Sequence, residues 1–125
     1  MGMPLYQTIT TTATGTALLL DWAVVPFNVA FALELQSGTG TFGVQYTLDE
    51  LNIATGTAIP LVGQSSNTTV TWFNDANAGP TTTTSISGNY MFPVRAVRCV
   101  VSTSFANSTG TFSLQFAVLQ GLPNY

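Results

Sequence analysis

Thr39-Gly40-Thr41-Phe42-Gly43-Val44-Gln45-Tyr46 returns later in the chain as Thr109-Gly110-Thr111-Phe112-Ser113-Leu114-Gln115-Phe116. In both stretches apolar side chains alternate with small or polar ones, the period of two that marks a strand with one buried face. Working back from the first copy, Val29, Phe31, Leu33 and Leu35 alternate with Asn28, Ala30, Ala32, Glu34 and Gln36. Working forward, Phe42, Val44, Tyr46 and Leu48 alternate with Thr41, Gly43, Gln45 and Thr47. The connection Ser37-Gly38-Thr39-Gly40 carries the glycines of a tight turn, so residues 27–48 are expected to form one β-hairpin. The second copy follows a strand led by Pro93 as the first follows Pro26, which predicts a second, related hairpin and two similar layers. Duplication and convergence both produce such a pair, and two copies are too few for a repeat array.

Weaker strand signals surround these. Tyr6 to Thr14 and Thr16 to Trp22 flank Gly15, Ala58 to Val62 surrounds Pro60, and Thr68 to Phe73 is rich in β-branched and aromatic residues. Asn74-Asp75-Ala76-Asn77-Ala78-Gly79-Pro80 and Ser87-Gly88-Asn89 read as turns. The threonine runs at 10–12 and 81–84 suit exposed strand faces or edges. The best helical candidate, Leu48 to Ala54, amounts to about two turns. The expected fold is all-β, a single antiparallel β-sandwich of jelly-roll or Ig-like type with about eight short strands. One domain is expected over residues 13–125, and residues 1–12 form either its first strand or an arm that adds a strand to a neighbour's sheet edge.

Composition then narrows function. The chain of 125 residues has no histidine and no lysine, and its seven charged side chains are Asp21, Glu34, Asp49, Glu50, Asp75, Arg95 and Arg98. An average domain is about a quarter charged, so this surface is expected to be covered by other protein. Hydrophobic residues make up 46% of the chain, ample for a core. Two arginines against a net charge of −3 leave little to neutralise phosphates, so nucleic acid is not an expected partner. The apolar runs fall far short of the ~20 residues that span a bilayer, and Met1 to Tyr6 shows neither a signal peptide nor a myristoylation motif, which has Ser or Thr where Tyr6 stands.

Conventional chemistry finds few reagents. Serine and threonine abound, but no histidine or lysine is present to serve as base for a nucleophile. Asp49 and Glu50 are adjacent, which sends them to opposite faces of a strand and brings them together only at a turn. No Asp-rich calcium loop and no phosphate-binding glycine loop occurs. Cys99, alone within the apolar run Val97 to Val101, is expected to be a buried small hydrophobe. The chain is therefore expected to be non-enzymatic, with no catalytic residue, metal or cofactor. Asn67 and Asn107 open glycosylation-like triplets and are expected to be polar loop residues.

Candidate interface residues remain. Trp72 and Phe73 are neighbours, so a regular strand points them to opposite faces and leaves one ring available to a partner or a sugar. Trp22 joins them as a further aromatic candidate. Arg95 and Arg98 stand three apart, so a regular strand aims them at opposite faces, either paired with local acids such as Asp21 or Asp75 or anchoring a partner's carboxylate.

Gly88-Asn89-Tyr90-Met91-Phe92-Pro93-Val94-Arg95-Ala96-Val97-Arg98, with Thr71-Trp72-Phe73-Asn74, Leu20-Asp21-Trp22 and Pro26-Phe27-Asn28-Val29, resembles small all-β virion proteins of tailed bacteriophages. The resemblance spans roughly Leu20 to Gln120 and rests on structural rather than catalytic signatures. It implies a capsid decoration or cement protein, made in the host cytoplasm and carried on the virion's capsid surface. The implied partners are the major capsid protein or other virion proteins, and the implied state is a homo-oligomer, a trimer above all. A neck, tail or head-fibre component would use the same fold at lower copy number. A carbohydrate-binding module, with an exposed Trp beside Asn or Asp, is the alternative from another class.

Overall fold

A computed structural model describes the chain over residues 5–20, 28–49, 51–52, 57–58 and 70–121. Among these residues eleven strands follow in chain order: β1 (Leu5–Ile9), β2 (Ala13–Thr14), β3 (Leu18–Leu19), β4 (Val29–Ser37), β5 (Thr39–Thr47), β6 (Leu51–Asn52), β7 (Thr57–Ala58), β8 (Phe73–Asn74), β9 (Ile86–Tyr90), β10 (Ala96–Phe105) and β11 (Ser113–Gln120). No helix occurs among the described residues.

Two antiparallel sheets form the body. One has four strands in the order β1-β11-β4-β9; the other runs β2-β10-β5-β8, with β3 also pairing β10, and β6-β7 is a separate pair. The connections β1 to β2, β4 to β5, β8 to β9 and β10 to β11 each pass from one sheet to the other. A sandwich in which successive strands alternate sheets while early strands pair late ones has the jelly-roll arrangement, which distinguishes it from the Ig-like alternative.

The expected hairpins are not hairpins. β4 and β5 lie in different sheets, β4 pairing β11 and β9 while β5 pairs β10 and β8. The second copy behaves likewise, with β10 in one sheet and β11 in the other. Both units are arches, and they interlock so that each contributes a strand to each sheet. Alternation reports only that one face is buried; it reads the same whether the next strand lies alongside or across the core.

Glycine makes the first arch possible. Gly38 is the one residue between β4 and β5, at φ +79°, and a Cβ there would collide with the Phe105 carbonyl oxygen. The second arch is built around Asn107. Its Oδ1 accepts hydrogen bonds from the backbone N–H of Thr109 and Thr111 (3.0 and 3.1 Å) and from both threonine hydroxyls (2.6 and 3.1 Å). The matched glycines therefore do different work: Gly40 is buried in β5, whereas Gly110 sits at φ +80° in the Asn107 turn. A register shift on each strand entering an arch, at Gln36 opposite Ser113 and Leu114 and at Ser102 opposite Phe42 and Thr41, adds the local bend a bulge supplies.

Inward residues from both sheets form one core. Val29, Phe31 and Leu33 of β4, Phe42 and Val44 of β5, Val97, Cys99 and Val101 of β10, and Leu114, Phe116 and Val118 of β11 are buried together. Each such Val, Leu or Phe side chain contributes about 1.5–3 kcal/mol by leaving water. The inward register expected from alternation holds in β4 and β5 as far as Tyr46. Leu48 departs from it, exposed just past the end of β5, where Thr47 is the last buried position.

Other local expectations are corrected. Ser87-Gly88-Asn89 is not a turn but the middle of β9, paired to β4, where Gly88 lies opposite Phe31. A Cβ on Gly88 would stand 2.7 Å from the Phe31 ring, so the glycine serves packing rather than a turn. Tyr6 to Thr14 is broken: β1 pairs β11 over all five of its residues, whereas β2 joins the other sheet. Thr16 to Trp22 reduces to β3 over its described part, and Trp22 lies outside the described residues. Of Thr68 to Phe73 only Phe73 is strand, within β8; 68–69 lie outside the described residues, as do 59–62 of the Ala58 to Val62 candidate. The helical reading of Leu48 to Ala54 meets a strand at Leu51–Asn52; Glu50, Ile53 and Ala54 lie outside the described residues.

Candidate functional site

The most organised polar surface lies on the outer face of the five-stranded sheet. Register places Arg98 of β10 beside Gln45 of β5, and Gln45 beside Asn74 of β8. The side chains join in that order: Arg98 Nε–H donates to Gln45 Oε1 at 2.9 Å, and Gln45 Nε2 donates to Asn74 Oδ1 at 2.8 Å. Trp72, just before β8, lies under the guanidinium, whose carbon stands 4.1 Å from the ring centroid. Partial burial lowers the pKa of Arg98 from its ordinary value, because it disfavours the charged form. A guanidinium held over an indole and fixed at Nε can recognise a carboxylate in its plane through its remaining N–H groups.

One register position along, β5 and β8 carry Tyr46 and Phe73, whose rings stack at 5.7 Å. Tyr46 also meets Tyr90 at 5.3 Å and Phe92 edge-on at 5.6 Å, and Tyr90 meets Phe31. Where β5 and β9 end, this cluster surfaces: Phe73 is 46% exposed, Phe92 49% and Met91 74%. Beneath it the Tyr90 hydroxyl donates to Asp75 Oδ2 at 2.7 Å, and Asp75 Oδ1 accepts the backbone N–H of Asn77 and Ala78. Burial first, and the Asp75 carboxylate second, push the Tyr90 phenol above its ordinary pKa.

The outer face of the four-stranded sheet differs in character. Rows of paired residues set Leu119 beside Ala30, Tyr6 beside Ala117 and Ala117 beside Ala32, with Glu34 beside Gln115. The alanines make a shallow apolar strip flanked by exposed Tyr6 and Leu119. Glu34 is exposed, and its carboxylate has no hydrogen bond or ion pair among the described residues.

Of the five interface candidates, the structure brings Trp72 and Arg98 together and sends Phe73 to the aromatic cluster on the other side of its strand. Arg95 precedes β10 and is tied into the backbone, its N–H donating to the Thr47 carbonyl and its carbonyl accepting from Leu20, each at 2.9 Å. Asp75 does not pair with Arg98, being engaged by Tyr90 and its own loop. Asp49 anchors a loop as well, Oδ2 accepting the Thr71 N–H at 2.8 Å. Cys99 is buried and its thiol is pushed up to about 12 by burial. Among the described residues no group of three His, Cys, Asp or Glu side chains is placed to hold a metal. Gln45 and Asn74 were not singled out from the sequence; alternation puts Gln45 on the outer face, but only the register shows it meeting Arg98.

No protein-family model matches the chain, and no curated protein matches it in sequence. Among solved structures, it is similar to a protein of Bacillus endospore appendages, which form disulfide-linked pili, at 11% identity and a TM-score of 0.30, covering 98% of this chain and 92% of that one. A nora virus structure aligns at 12% identity and a TM-score of 0.36, covering 96% of this chain and 55% of that one. The cyanophage Pam1 capsid aligns at 21% identity and a TM-score of 0.34, covering 98% and 86%.

Proposed function

We propose that this chain is a non-enzymatic structural protein of a bacteriophage virion, a decoration or cement protein that binds the outer shell and stabilises it. The observation that carries the reading is how little charge the sandwich shows to its surroundings. Among the described residues the outer face of each sheet bears a single charged side chain, Glu34 on one and Arg98 on the other. A freely solvated small domain carries both signs over about a quarter to a third of its surface. Here threonine, alanine and glutamine fill those positions, and Phe73, Met91 and Phe92 stand exposed at one end. Apolar patches rimmed by polar residues mark contact surfaces.

A shell offers the contacts that such a surface lacks. Stable interfaces bury about 1,200–2,000 Å² in total, and a subunit held by the shell and by its own copies, as a homotrimer, covers both outer faces and the aromatic end. Jelly rolls recur in viral capsids and also in lectins, so the site and not the fold decides. Purified chain mixed with particles lacking it is expected to co-sediment and to raise the temperature at which the shell releases its genome. Binding to tails alone would indicate the neck, tail or fibre location instead.

The exposed Phe73 and Phe92 rings favour a second reading, a carbohydrate-binding module. It predicts that saccharides change the tryptophan fluorescence through Trp72, which precedes Phe73 in the chain although it faces the opposite side of the strand; a purely structural protein gives no such change.

A further inference from the structure

The geometry points to a specific self-contact: we infer that Arg98 of one subunit receives Glu34 of a second copy, so that the outer face of one five-stranded sheet stacks on the outer face of another subunit's four-stranded sheet. This deepens the homo-oligomer proposed above and rests on it.

Arg98 is prepared for an anion that its own subunit does not supply among the described residues. Trp72 lies against the guanidinium and Gln45 holds Nε, while the remaining N–H groups have no carboxylate partner among the described residues. A partly desolvated cation is costly until a carboxylate compensates it. Two of the three described carboxylates are engaged, Asp49 by the Thr71 N–H and Asp75 by Tyr90 and the backbone of its own loop. Glu34 is engaged by nothing described.

The two free charges cannot meet within one molecule. They project from opposite outer faces of a sandwich whose sheets stand about 10 Å apart, so each points away from the other. They complement one another between copies. Glu34 also stands beside the alanine strip of Ala32 and Ala117, whose small side chains let an indole such as Trp72 approach the sheet closely. Trp and Arg are the residue types that dominate interface energies, and an Arg–carboxylate pair is directional. Because each subunit uses two different faces, the contact is heterologous, and it forms a ring where the rotation between copies closes and an open filament where it does not.

Sedimentation velocity on the purified full chain, without any particle, tests this. The wild type is expected to self-associate, and R98E and E34R are each expected to weaken association at least tenfold. The double variant R98E/E34R, which restores the pair with its signs exchanged, is expected to recover most of that loss. A monomeric wild type overturns the inference and indicates a carboxylate on another protein; so does an oligomer indifferent to E34R, or a double variant no better than the singles. E34R alters an exposed position that leaves the Arg98–Trp72 stack intact, and near-UV circular dichroism verifies the fold of every variant. The result is independent of the virion reading, since self-association is measured without particles and particle content without the variants.

Discussion

Tyr90 hands its phenolic hydrogen to Asp75 across 2.7 Å, and through that bond the end of β9 in one sheet is tied to the loop that follows β8 in the other. Asp75 also accepts two backbone N–H groups, and its own N–H donates to the Val44 carbonyl. The aromatic end of the sandwich thus rests on a polar clamp. A hydrogen bond to a charged acceptor contributes about 1.5–3 kcal/mol, so Tyr90→Phe is expected to lower unfolding stability by that order. Asp75→Ala, which orphans three donors, is expected to cost more. Urea unfolding of both variants measures the order of the two effects.

Alkaline pH is expected to destabilise the fold. Cys99 has a folded pKa of about 12 against an ordinary value of 9.0. Its contribution is therefore fully present below pH 9 and is lost as pH rises towards 12, where the unfolded chain ionises first. Tyr90 is shifted in the same direction. Chemical denaturation from pH 8 to pH 11 is expected to show a falling stability, with a smaller slope in Cys99→Val.

Val97→Asp places a carboxylate in the core of β10, where Val97 is fully buried opposite Tyr46. Burying an unpaired charge costs several kcal/mol, on the order of the largest single-site effects. The variant is expected to be unfolded or to have lost its cooperative transition by circular dichroism. A stable Val97→Asp protein would contradict the inward register of β10.

The two left-handed glycines are expected to respond unequally. Alanine at Gly110 meets nothing within 4 Å and pays only the positive-φ penalty, about 1–2 kcal/mol. Alanine at Gly38 adds a collision with the Phe105 carbonyl, where the two arches abut, and is expected to cost clearly more. Equal thermal shifts for the pair would contradict the interlocked arches.

The faces of the strands were legible from the chain, because alternation is a local property: Val29, Phe31 and Leu33 point inward as the pattern requires. Partnership was not. Nothing in Ser37-Gly38-Thr39-Gly40 distinguishes a hairpin from an arch, because what forces the crossing is β11 and β10, pairing from the far end of the sequence. Gly88 misled for a related reason: glycine in a strand and glycine in a turn look alike until Phe31 is seen above it. Trp72 and Arg98 were both recognisable as candidates, but their stacking, and the Gln45–Asn74 row that fixes it, depends on three strands coming into register.

The virion assignment has the most direct test. Quantitative mass spectrometry of purified particles of the proposed phage, scaled to the major capsid protein, gives the copy number of this chain. A decoration or cement protein is expected at hundreds of copies per particle. Around a dozen copies would contradict the shell location in favour of neck, tail or fibre, and none would contradict the virion role altogether.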